Sequence, residues 1–126
     1  MPTALVVERD AVLRNIVRSV LTAQGFETMD AANAEEAVAL CDLLRDLDLL
    51  IAGHTLAGPE DLIGSCVAEQ LRMLAPQVKV LVISDCPYQV VFDQKGIPEG
   101  AWFLQKPFTE AQFLNTVKQI LEPRIQ

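Results

Sequence analysis

Short apolar runs alternate with helix-period stretches along this chain, and that alternation constrains the fold more than any other feature. Ala4-Leu5-Val6-Val7 is continuous, apolar and short, which reads as a buried strand. Asp10 follows where a helix N-cap belongs, Leu13, Ile16, Val17, Val20 and Leu21 recur at helical spacing, and Gly25 stands where a C-cap is expected. Phe26 to Ala31 reads as a second strand. Asn33 with Glu36 forms a capping box for a second helix, whose inward face is Ala37, Leu40, Cys41 and Leu44. Leu49 to Ala52 is the third strand. Gly58-Pro59 opens a third helix with Ile63, Cys66, Val67, Leu71 and Leu74 inward, and Pro76 stops it. Val78 to Ile83 is the most apolar strand and is expected at the sheet centre, buried on both faces. A short helix spans Tyr88 to Lys95 and ends at Gly96, and Ala101 to Gln105 is the fifth strand. Thr109 with Gln112 caps a last helix that faces inward through Phe113, Leu114, Val117, Ile120 and Leu121.

Five strands alternating with five helices predict an α/β fold, a parallel sheet with helices on both faces. Right-handed crossovers make the doubly wound, three-layer arrangement the default. The 126 residues fit one domain spanning 1–126, either a stand-alone protein or the N-terminal part of a longer one, and 51% apolar content supplies a core without disulfides or metal. A net charge of −7 argues against nucleic acid and anionic membrane, which require a basic surface. Three cysteines (Cys41, Cys66, Cys86) do not make a complete disulfide framework. With neither a signal peptide nor a run of transmembrane length, the expected location is the cytoplasm.

Ligands of such sheets bind beyond the carboxyl ends of the strands, so the loops beginning at Glu8, Gly53, Ser84 and Gln105 matter most. Glu8-Arg9-Asp10 contains no glycine and cannot cradle a phosphate as a dinucleotide fingerprint or P-loop does. Ser84-Asp85 follows the fourth strand and Lys106-Pro107-Phe108 the fifth. Leu5-Val6-Val7-Glu8, Ser84, Phe103 and Lys106-Pro107-Phe108, in this order of elements, closely resemble the receiver domain of bacterial two-component response regulators over essentially the whole chain. The resemblance implies a flavodoxin-like sheet in the order 2-1-3-4-5. It also implies an acidic pair after strand one and an aspartate after strand three that hold Mg²⁺, the latter accepting a phosphoryl group from a histidine kinase. The Ser at the end of strand four and the aromatic in strand five are switch residues in that family.

Two departures bear on function. The acceptor position falls on Gly53, which has no nucleophile, and the second acid of the strand-one pair is Arg9, whose guanidinium cannot ligate a hard cation. Glu8, Arg9, Gly53 and Lys106 together carry +1, where three acids and one lysine would carry −2. There is also one residue fewer than the family pattern between Gly100-Ala101 and Lys106. The expectation is therefore a degenerate receiver with no catalytic residue, no metal ligand set and no cofactor, Mg²⁺ binding being lost. Arg9 is expected to point to solvent and Lys106 to pair with Glu8, locking one conformation of Ser84 and Phe103. The alternative is a cationic pocket of Arg9, Lys106 and Ser84 that binds a small anion or metabolite.

The remaining suggestive residues read as structural. His54 is expected on a loop at the surface, and the Ser84, Asp85 and His54 grouping lacks the nucleophile elbow of a hydrolase. His54 to Gly58 also lacks the Asp and Gly of a cobalamin motif. Cys86, before Pro87, reads as a small hydrophobe. Tyr88, Val90, Val91 and Phe92 cannot all face the core of a short helix, and Trp102 and Phe103 must point to opposite sides of a strand. Several large side chains thus converge, and the resemblance to receiver domains implies that Tyr88, Trp102 and Phe103 mark an interaction face on the fourth helix, fifth strand and fifth helix, for a partner protein or a second copy of the chain.

Overall fold

Alternation within the apolar runs decides which residues meet which helices. In the computed structural model, which describes residues 2–40, 43, 45–54, 69, 71–93, 95 and 97–121, the chain runs through β1 (Thr3–Val7), α1 (Ala11–Ala23), β2 (Glu27–Ala31), α2 (Ala34–Ala39), β3 (Leu49–His54), α3 (described residues 71–74), β4 (Lys79–Ser84), α4 (Tyr88–Asp93), β5 (Trp102–Gln105) and α5 (Glu110–Leu121). The strands form one parallel sheet in the order β2-β1-β3-β4-β5. Leu5, Leu50, Ala52, Val80 and Val82 face one way and pack with Ala37, Leu71 and Val91 of α2, α3 and α4. Ala4, Leu49, Ile51, Leu81 and Ile83 face the other way, against Val17 and Leu21 of α1 and Phe113, Val117 and Ile120 of α5. Both faces are covered, so between their first residues and their carboxyl ends β1, β3 and β4 carry only apolar side chains.

The caps form as the sequence requires. Asp10 accepts hydrogen bonds from the N–H groups of Val12 and Leu13, and Asn33 accepts one from that of Glu36. Thr109 and Gln112 exchange reciprocal bonds of 2.8 and 3.0 Å between each side chain and the other's N–H. Gly25, at φ +96°, follows the Gln24 cap in the left-handed conformation that glycine tolerates. Asp48 ties two strand starts together: its carboxylate accepts from Thr3 N–H at 2.9 Å and its carbonyl from Lys79 N–H at 3.0 Å.

Several expectations are corrected. Ile16 is 54% exposed, because it lies about 100° around the helix from Val17 and falls at the edge of the inward stripe. α2 stops at Ala39 with Leu40 as its cap, short of the Leu44 expected from periodicity. β4 is an interior strand between β3 and β5, buried along its length after Lys79, as expected. β3 continues two residues past Ala52, because Gly53 and His54 pair in register with Ile83 and Ser84. Cys41, Leu44, Gly58, Pro59, Ile63, Cys66, Val67 and Gly96 lie outside the described residues. Truncating Ile51 to Ala should cost about 2–5 kcal/mol in urea unfolding. Met73→Ala, at a position 83% exposed, should stay within about 0.5 kcal/mol.

Candidate functional site

The parallel register brings the carboxyl ends of β1, β3, β4 and β5 to one edge of the sheet. Val7 lies beside Ala52, His54 beside Ser84, and Ser84 beside Gln105. Lys106 therefore follows directly on β5, and its N–H donates to the Ser84 carbonyl at 2.7 Å. Gly100, in the turn before β5, adopts φ +77°, in the left-handed region. The Lys106–Pro107 peptide is cis. Beyond it Phe108 stacks on Phe113 of α5, with ring centroids 5.8 Å apart.

Glu8 is the centre of this edge and is only 3% exposed. Its N–H donates to the Ala31 carbonyl at 3.0 Å, while its own carbonyl accepts from Arg14 Nη1 at 2.7 Å. Its carboxylate accepts from Asp10 N–H at 2.9 Å through Oε2 and from Lys106 Nζ at 3.3 Å through Oε1. The expected Lys106–Glu8 pair is thus present, with the lysine side chain 18% exposed. Arg9 is exposed.

Gly53 faces Glu8 across the strand pair. A Cβ at position 53 would overlap Glu8 Oε1 and lie 3.0 Å from Glu8 Cδ and 3.3 Å from the Val7 carbonyl oxygen. The absence of a side chain at 53 and the position of the Glu8 carboxylate are therefore one geometric fact. Among the described residues, no three His, Cys, Asp or Glu side chains are grouped to hold a metal ion.

Ser84 is fully buried, and its hydroxyl oxygen accepts from Cys86 N–H at 3.0 Å, at the entry to α4. Cys86 is half-buried against the core, in keeping with its reading as a small hydrophobe. The alternation expected of β5 holds: Trp102 is 36% exposed, while Phe103 is half-buried against the apolar layer. Tyr88 meets Phe103 edge-on at 5.4 Å and stacks on Phe92 at 5.8 Å. His54 departs from its expected surface loop and is 3% exposed within β3, because the strand extends to include it.

Reading the sequence missed Arg14, which reaches from α1 to the Glu8 carbonyl and to Asp30 Oδ2 at 3.0 Å, with Arg18 completing the cluster at 3.2 Å from Asp30 Oδ1. One signal was available. A cation near a helix N-terminus works against the helix dipole, so it needs an acceptor from elsewhere in the fold.

The sequence matches the response regulator receiver domain family over residues 4–118. The sensor kinase CckA of Brucella abortus (strain 2308) is 31% identical over 121 residues, or 94% of this chain, and the chain spans 12% of that relative's length. Among solved structures, a response regulator receiver protein from Sinorhizobium medicae WSM419 superposes with TM-score 0.79 at 27% identity, over 98% of this chain and 96% of that one. A response regulator from Thermotoga maritima gives 0.76 at 27% identity, over 96% and 98% respectively.

Replacing Lys106 by Met leaves a buried carboxylate without its cation and should cost roughly 1–3 kcal/mol in urea unfolding. The exposed Lys118→Met should change stability by less than about 0.5 kcal/mol. Combining Lys106→Met with Glu8→Gln should cost clearly less than the sum of the two single changes.

Proposed function

Since the chain belongs to the response regulator receiver domain family, we propose that it is a receiver that takes up no phosphoryl group at the usual position and signals through protein contacts. It is a domain of two-component-type signalling by family. Gly53, standing at the acceptor position beneath the Glu8 carboxylate, carries the further reading. Aspartyl phosphorylation needs a carboxylate nucleophile at the end of β3, and glycine supplies none. Glu8 fills the adjoining space, with its oxygens accepting from Lys106 Nζ and Asp10 N–H.

The described residues at this edge do not fit Mg²⁺. A hard divalent cation takes six oxygen ligands with near-octahedral geometry, several of them water. Glu8 offers one carboxylate already neutralised by an ammonium, Gly53 offers no side chain, and residue 9 is a cation. The anion-binding alternative loses support for a related reason, since the cation it relies on most, Lys106, is paired with Glu8. The reading assigns the chain no catalysis and a cytoplasmic setting. No helix among the described residues is long and apolar enough to cross a membrane.

Output is assigned to the face built by α4, β5 and α5. Tyr88 and Phe92, stacked on one another, are 47% and 52% exposed there, and Trp102, on the opposite side of β5 from Phe103, is 36% exposed, apolar surface suited to a partner protein or a second copy of the chain. Incubation with acetyl phosphate and Mg²⁺ should leave the intact mass unchanged, with no acid-labile acyl phosphate. Such an adduct at Asp85 or Asp61 would overturn the reading. In affinity capture from native lysate, Tyr88→Ser combined with Trp102→Ser should abolish recovery of the partner while Tm stays within a few degrees. Undiminished recovery would remove this face as the docking surface.

A further inference from the structure

The space at the strand ends that a residue-53 side chain would enter is already filled, and the filling group comes from β1. A flexible side-chain end ordinarily yields to a close neighbour at little cost. The Glu8 carboxylate is different, because moving it breaks its bond to Asp10 N–H and its pairing with Lys106, within a site only 3% exposed at Glu8. We propose that Glu8 is an anionic ligand that the chain itself supplies to Lys106, in the space a residue-53 side chain would enter, so that the Glu8 carboxylate in this position and a side chain at 53 compete for one space. The inference rests on the functional reading in taking position 53 as the site of the missing acceptor, and it adds what fills that site instead.

Two consequences follow from the geometry. The first is chemical. Shortening Glu8 to Ala removes the carboxylate, leaves Lys106 facing a vacated space, and opens room for a small monocarboxylate such as formate. The second is steric. A methyl group at position 53 displaces Glu8 in the wild-type chain, but meets less resistance when the carboxylate is drawn back by one methylene, as in Glu8→Asp. The Val7 carbonyl at 3.3 Å remains in both backgrounds, so the resistance falls without vanishing.

Thermal unfolding in sodium formate and in sodium chloride at equal ionic strength tests the first consequence. Wild-type Tm should be the same in the two salts. Glu8→Ala should melt roughly 4–8 °C lower in chloride and recover at least half of that loss in formate. Glu8→Ala combined with Lys106→Met should recover nothing. An absent recovery, or one that does not depend on Lys106, overturns the proposal.

The steric arm does not need the alanine variant to fold. Gly53→Ala should lower Tm by several degrees in the wild-type background and by clearly less in Glu8→Asp, and equal losses would also overturn it. Formation of an acyl phosphate would defeat the functional reading while leaving these couplings intact. Additive variants and no formate effect would defeat the inference while leaving that reading standing.

Discussion

A sheet covered on both faces leaves its strands no room for charge except at their ends, and the rest of this structure depends on that constraint. In β1, β3 and β4 successive side chains turn to opposite sides, and each side is sealed by helices. Polar chemistry is thereby displaced to the carboxyl edge, where Glu8, Gly53, Ser84 and Lys106 come from four separate stretches of sequence. None of these residues is close to the next along the chain. The parallel register alone makes them neighbours.

At that edge, electrostatics and steric fit act together. Glu8 is buried, and a buried carboxylate is costly unless it is paired and hydrogen-bonded. Lys106 supplies the charge, Asp10 N–H a donor, and Arg14 holds the backbone from which the side chain departs. The bulk charge of −7 says nothing about this locality. At the edge that the family resemblance makes most acidic, the buried Glu8 carboxylate is neutralised by a lysine.

Local signals were legible wherever the chemistry was local. Asp10, Asn33 with Glu36, and Thr109 with Gln112 announce helix starts because their side chains bond N–H groups two or three residues away. Gly25 announces a helix end through its left-handed conformation. The Lys106–Glu8 pair was legible for another reason: the family pattern brings the two residues together, and their charges are complementary. Errors arose where a neighbouring element decides. His54 resembled a loop residue because nothing in its own stretch indicates that β4 extends far enough to pair with it. Ile16 fits the periodic pattern, yet the width of the covered stripe depends on how α1 sits on the sheet. Arg14 was missed because its acceptors are a backbone carbonyl and a residue of β2.

By itself, the sequence determined the alternation of elements, the helix caps, the glycine at position 53 and the charges at positions 8, 9 and 106. These follow from periodicity, short-range hydrogen bonding and residue chemistry, which are written along the chain. Packing set the rest: the Glu8 carboxylate stands over Gly53, Lys106 meets it from just beyond β5, and Trp102 faces outward while Phe103 packs inward. Those outcomes depend on strand register and helix coverage, which arise only when distant segments are packed against one another.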